Sequence, residues 1–286
     1  MKYITLILLT ILVSLSYSPD NKAEEKRYFL WIEGHANYKK LSTQHGIADI
    51  LDKAKTAGFT DIIAEVRGID GYVMYPSDVA PVLDEFNGFK RPRDYDYTGI
   101  LISEAKKRGL GIYLAINVFV EGNKGTKLGM AYKEHPDWQV QVYSKGSIVP
   151  ITESQEEIAA FVNPIIPEVR NHIFAIFEEV LHKYNPDGVV LDRARYPNLS
   201  GDFSQLSKET FEKFIGSKVE KFPDDIFKDE IKSDGTSNRV LGKWFNKWLL
   251  WRSKNIYDFF VELKGRVKAI NPKCDYTVYV GSWYPY

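Results

Sequence analysis

Asp192, Arg193 and Arg195 stand directly behind an apolar run, Val189-Val190-Leu191, which is introduced by the turn residues Asn185-Pro186-Asp187-Gly188. A short apolar run that follows an amphipathic helix and is bounded by turn residues predicts a buried parallel strand. The carboxyl end of such a strand is where parallel α/β folds gather their chemistry. Four other segments read as strands with polar or aromatic ends. Tyr28–Ile32 ends in Glu33-Gly34-His35, and Ile62–Ala64 ends in Glu65-Val66-Arg67. Gly111–Ile116 ends in Asn117, with Glu121 just beyond, and Tyr276–Val280 ends in Gly281-Ser282-Trp283. If these strands are parallel, their ends share one rim. Carboxylates, arginines and aromatic rings with few histidines suit glycoside hydrolysis. One carboxylate stabilises or attacks the anomeric carbon, and a second, protonated one releases the leaving oxygen.

Asp192 is the first candidate, as a nucleophile, because an adjacent arginine would hold it ionised and lower its pKa. Glu121 and Glu65 are the candidates for the second carboxylate. Arg67, Asn117, Arg193, Arg195, Tyr196, Tyr75, Trp283, Glu33 and His35 are candidate substrate contacts. Structural roles compete with each reading. Asp192 could pair with Arg193 or Arg195, Glu65 could form an internal ion pair with Arg67 two residues on, and Glu121 could be a solvated loop residue. Glu33-Gly34-His35 also imitates a metal-ligand pair, which would make the chain a metal-dependent deacetylase. Of the five histidines only His35 falls on the rim, whereas metal sites draw on clusters of His and carboxylates. The expectation is therefore no metal or other cofactor. There is no Gly-x-Ser-x-Gly elbow, phosphate loop or dinucleotide fingerprint.

The elements that must position these residues follow from periodicity. Ile47, Ile50, Leu51 and Ala54 recur at helical spacing up to Gly58; Ile100 to Lys107 forms a second helix before Gly109. Val169, Ile173, Ile176, Phe177, Val180 and Leu181 make one stripe of a third helix, which leads into the Val189 strand. A long helical pattern runs from about Arg239 to Ile270, and its aromatics Trp244, Phe245, Trp248 and Trp251 read as core. Residues 121–160 and 198–236 read as long excursions, the second carrying a small helix near Glu209 to Ile215. Repeated βα units predict an α/β fold of the (β/α)₈ barrel type with five units visible, the N-terminal part of a longer barrel. A self-contained five-stranded α/β domain is the competing architecture.

Composition bounds the function. The 286 residues carry 38 Lys and Arg against 38 Asp and Glu, so nothing favours a nucleic-acid or anionic-membrane partner. With 14% aromatic residues there is ample material for sugar-stacking platforms, although most such rings serve the core. Met1-Lys2-Tyr3, an apolar run from Ile4 to Leu15 and small residues before Pro19 predict a signal peptide over 1–18 and an exported protein. The run is shorter than the ~20 residues that span a bilayer. A linker follows over 19–27 and the barrel domain over 28–286. The lone Cys274 can form no internal disulfide.

Several segments, in order, resemble the glycosyl hydrolase-like family 10. They are Glu65-Val66-Arg67 with Tyr75-Pro76-Ser77, His135-Pro136-Asp137-Trp138, Asn163-Pro164 before Pro167-Glu168-Val169-Arg170, and Asp187 through Pro197. The resemblance runs from about Tyr28 to Trp283 and implies an exported, often bacterial, TIM-barrel glycosidase-like enzyme related to α-amylase and α-galactosidase barrels. By that kinship Asp192, ending the fourth strand, is the nucleophile. Those relatives take the acid/base from the fifth or sixth strand, whereas the fifth strand here ends without a carboxylate. Glu121, Glu65 or a residue beyond Tyr286 would have to supply it. A carbohydrate-binding barrel without catalysis is the alternative. Carbohydrate is the expected ligand in either case.

Overall fold

The computed structural model describes residues 26–144, 146–154, 158–231 and 237–281. The signal peptide read over 1–18 and the candidate contact Trp283 lie outside these residues. In chain order the elements of the central layer are β1 (Phe29–Ile32), α1 (Gln44–Thr56), β2 (Asp61–Arg67), α2 (Tyr97–Lys107), β3 (Gly111–Asn117), α3 (Pro167–Lys183), β4 (Gly188–Asp192), α4 (Gln205–Ile215), α5 (Phe245–Ile270) and β5 (Asp275–Val278). The five strands lie side by side in sequence order, and every neighbouring pair is parallel. The helix starts carry the local signals that make them. Thr43 and Asp96 accept hydrogen bonds from Gly46 N and Gly99 N, and Pro167 opens α3 where its missing N–H costs nothing.

Alternation along the strands divides the core in two. Ile62, Ala64, Ile112, Leu114, Ile116, Val189 and Leu191 face the helices and pack with Leu51, Leu101 and Phe177. On the opposite face Tyr113, Ala115 and Val190 form a separate buried cluster against Trp31 and Ile63. Trp31 on β1 also meets Tyr279, just past β5, with ring centroids 5.1 Å apart. Side chains of the two edge strands thus touch across the inner face, so the sheet is curled as in a barrel wall. Arg27 ties the amino-terminal end of this face by bonding Asp61 on β2 and the Tyr113 hydroxyl on β3 (2.7 Å). Gly188 makes room there, since a Cβ would fall 2.3 Å from the Tyr113 ring. β1 and β5 do not pair with each other among the described residues. The sheet is five strands of a TIM-type barrel, open between its edges.

The excursions are more structured than their lack of period implied. Val120–Asn123 pairs with Ala159–Phe161, and Gln141–Ser144 with Ser147–Pro150. The helix expected from Arg239 begins at Phe245, because Ser237–Leu241 instead pairs with Phe227–Ile231 as an antiparallel hairpin. Gly242 ends that hairpin where a Cβ would sit 2.3 Å from the Asp225 backbone. Trp248 and Trp251 are buried in a second core with Phe203, Phe211 and Phe227, which confirms the α5 aromatics as packing residues. No described helix is long and apolar enough to cross a membrane.

Candidate active site

The inner-face register sets one layer of side chains at the carboxyl ends of the strands. Asp192 is paired with Asn117, Glu65 with Ala115 one step below, and continuing the two outer registers aligns Glu33 with Glu65 and Tyr279 with Asp192. Above the small inner cluster, Glu33, Glu65 and Asp192 border a cleft of about 430 Å³ with His35, Trp31 and Arg193. Ile69, Phe86, Asn123 and Tyr279 complete its walls.

Glu65 and His35 in this cleft are each held by neighbouring groups. Glu65 Oε2 accepts from Gly34 N (2.9 Å) and Oε1 from the Asn117 side-chain amide (2.9 Å). His35 Nε2 lies 2.8 Å from the buried Asp70, and Nδ1 lies 3.8 Å from Glu65. Asp70 is fixed in turn by the Tyr72 N–H. Burial alone would depress the His35 pKa. The hydrogen bonds and charges of Asp70 and Glu65 outweigh that and lift it to about 10, so the ring is a cation at neutral pH. Among the described residues, no group of three or more His, Cys, Asp or Glu side chains is placed to hold a metal ion.

A proton held this way links to stability with a definite sign. With the folded pKa near 10 and the unfolded one at 6.5, the folded state binds the extra proton between those values. The stabilisation is complete below 6.5 and is lost as pH rises toward 10. Unfolding free energy measured in urea falls across that window by an amount on the order of a few kcal/mol, and His35→Gln removes much of the slope. Gly68 supplies the floor under the ring: a Cβ there would lie 1.9 Å from His35 Cε1. Gly68→Ala therefore displaces the imidazole, costs about 1–3 kcal/mol, and flattens the same alkaline slope; urea melts at two pH values read both effects.

Asp192 behaves opposite to expectation. Burial raises its pKa, aided by the nearby Glu65 charge, and this wins over the lowering by the Arg193 charge, the Arg193 N–H and Arg195. The N–H bond is made at 2.7 Å to Oδ1, and Arg193 itself adopts φ 47°, a left-handed conformation uncommon for a residue with a side chain. Such strain at the carboxyl end of a strand is a frequent feature of functional sites.

Several expected contacts fall elsewhere. A register shift between Glu65 and Arg67 sets Arg67 opposite Ile116, on the helix-facing side. Arg67 is fully buried, bonds the carbonyls of Asn117 and Val120, and pairs with the fully buried Glu121. Glu65 is thus no ion-pair partner of Arg67. Glu121 is neither a solvated loop residue nor open to substrate, and His172 on α3 lies 3.4 Å from it. Asn117 is buried and acts by orienting Glu65. Tyr75 is fully buried against Tyr184 (5.8 Å). Arg195 and Tyr196 line a different groove, along α5, with Arg195 over the Phe161 ring and Arg252 over Tyr196. Of the contacts named in advance, Glu33, His35 and Arg193 join Asp192 and Glu65 in the cleft. Asp70 went unnoticed, although its Gly68-Ile69-Asp70-Gly71 turn directly after β2 was a readable signal. Tyr279 was likewise missed, two residues beyond the inward-facing Thr277.

The chain has a fold of the TIM-barrel type, shared with solved glycosidases. It is similar to α-L-fucosidase isoenzyme 2 from Paenibacillus thiaminolyticus, with a TM-score of 0.61 at 12% identity over 89% of this chain and 33% of that one. The PgaB (BpsB) glycoside hydrolase domain from Bordetella bronchiseptica gives a TM-score of 0.58 at 13% identity, over 88% of this chain and 64% of that one. The chain belongs to the glycosyl hydrolase-like 10 family, whose profile matches residues 29–284, as the ordered segments had implied. It is 35% identical to an S-layer-related protein of Niallia circulans, over 94% of this chain and 17% of that protein. It is also 25% identical to the glycosyl hydrolase DigH of Escherichia coli, over 82% of this chain and 47% of DigH. The glycosyl hydrolase YngK of Bacillus subtilis is 23% identical over 94% of this chain and 48% of YngK. The chain thus spans about half, or less, of the curated relatives it matches.

Proposed function

We propose that the chain is the barrel of an exported glycoside hydrolase that cleaves a poly- or oligosaccharide, with Asp192 and Glu65 as its two carboxylates. The observation that carries this reading is their placement in one cleft in unlike environments. Asp192 is protonated more readily than an ordinary aspartate, while Glu65 is anchored as an acceptor by two N–H donors. Two carboxyl groups whose surroundings set them apart are the pattern of an acid and its partner. Asp192 is therefore assigned the acid role, in place of the nucleophile implied by kinship. Its proton passes to the glycosidic oxygen as the C–O bond breaks, and the positive charge growing on the anomeric carbon is met by the Glu65 carboxylate. Water then adds its hydroxyl to that carbon while its proton returns to the carboxylate pair. Arg193 supplies donors for sugar hydroxyls at the cleft wall. The family membership and the apolar Ile4–Leu15 run support the hydrolase and export parts respectively.

The test is reducing-sugar release from a panel of plant, microbial and host glycans by the mature chain and by Asp192→Asn in parallel. Release by the first and its loss in the second is the expected result. Equal release by both would remove Asp192 from the chemistry, and no release by folded protein would leave a carbohydrate-binding barrel.

A further inference from the structure

The cleft does not end at Phe86. Beyond that ring lies a second hollow of about 460 Å³, lined by Tyr72, Asp84, Asn87, Thr126 and Leu128 as well as Phe86 itself. Three walls pass from one space to the other. The segment after β2 carries Ile69 in the first and Tyr72 in the second, and Phe86 belongs to both. Asn123 in the first is joined through its N–H to the Leu128 carbonyl in the second at 2.9 Å. Each hollow alone falls in the roughly 300–1,000 Å³ range of small-ligand sites. Phe86, half-buried between them, is held edge-on by His35 at 4.7 Å and packs against Tyr38 at 5.9 Å.

The lining of the second hollow has the chemistry of a sugar subsite: aromatic surface from Tyr72 and Phe86, with hydrogen-bonding groups from Asn87 and Thr126 at its mouth. Its carboxylates are already matched, Asp84 by Arg93 at 3.6 Å and the adjacent Glu85 by Lys90 at 3.1 Å. The hollow therefore does not demand a charged ligand. We infer that it is a second glycan subsite. The substrate is a chain that runs from Asp192 over Phe86 toward Tyr72 and Thr126, and it occupies both sides of the ring. The inference rests on the glycan reading of the Asp192 cleft and adds the requirement that the substrate be longer than one or two sugars.

The experiment is calorimetric titration of Asp192→Asn with ladders of one to six units of β-1,4-linked glucose, N-acetylglucosamine and glucosamine. The same ladders are titrated into Asp192→Asn carrying Thr126→Arg, an exposed position where added bulk fills the hollow without touching the core. Affinity is expected to rise at least about tenfold from the dimer to the longer members of one ladder. Thr126→Arg should abolish that gain and leave the shortest ligand unchanged. Affinity independent of length, a gain that survives Thr126→Arg, or no binding of any ladder would each overturn the subsite. Hydrolysis by the Asp192 protein is read separately. Cleavage without length dependence removes the subsite and keeps the hydrolase, whereas length-dependent binding without cleavage does the reverse.

Discussion

Asp192→Asn lowers kcat/KM on a natural glycan by about 10²–10⁴-fold, the usual contribution of a positioned general acid, while leaving the fold intact or firmer. The argument begins with burial. A carboxyl group whose folded pKa is raised destabilises the folded state once it ionises, so stability falls as pH climbs from the unfolded pKa through the folded one. An asparagine of the same shape does not ionise, so the variant should melt no lower than the parent at neutral pH. Loss of activity with no loss of stability marks a group kept for chemistry. Two measurements separate the acid from a nucleophile. A substrate with a leaving group that departs unprotonated, such as a dinitrophenyl glycoside, recovers much of its rate in Asp192→Asn if the residue only donates a proton, and recovers nothing if it forms the covalent bond. The alkaline limb of the wild-type pH profile reports deprotonation of the acid and should lie above the range of an exposed aspartate. Glu65 raises the Asp192 pKa and Arg193 lowers it, so Arg193→Met moves that limb to higher pH. Glu65→Gln moves the limb of any residual activity to lower pH.

The β/α order was legible because each strand is a run of apolar residues between turn signals, and the inner cluster follows the simple alternation of Tyr113, Ala115 and Asn117. Asp192 was legible for the same reason: it continues the Gly188, Val190 alternation onto the inner face. The roles of Arg67 and Glu121 were not. Periodicity assigns Glu65 and Arg67 to one face, but a single irregularity after Glu65 turns the arginine through the sheet, and nothing in Glu65-Val66-Arg67 announces it. The sign of the Asp192 shift was hidden for a different reason. Two arginines nearby in sequence suggest a lowered pKa, but the outcome depends on how much water the curled sheet excludes, and that is a property of the assembled layer. Arg195 shows the same limit: two residues past Arg193 the chain has already turned away, and its guanidinium bonds the Tyr196 and Pro197 carbonyls (3.0 and 2.6 Å) outside the cleft. His35 could be placed on the rim, but its charge waits on Asp70, which lies 35 residues away.

Breaking the Arg67–Glu121 pair is the largest stability effect expected in this chain. Both side chains are fully buried, and an ion pair in that setting is close to neutral as a pair yet costly to halve, because the survivor keeps its charge without a partner. Arg67→Met and Glu121→Gln should each lower the unfolding free energy by about 3–5 kcal/mol. The double variant should lose less than the sum of the two, a coupling that a double-mutant cycle in urea reads directly. The geometry leaves little room for repair. Gly71, at φ +83°, brings the backbone so near that a Cβ would lie 2.3 Å from Glu121 Oε2, and the Arg67 guanidinium also holds the carbonyls of Asn117 and Val120. That last contact ties stability to the site. Asn117 carries the side-chain amide that orients Glu65, and its own carbonyl is what Arg67 grips, so loosening Arg67 frees the end of β3 and the carboxylate it aims. Arg67→Met should therefore lower kcat even in the fraction that remains folded. A purely structural role would instead leave kcat per folded molecule unchanged once the unfolded fraction is subtracted.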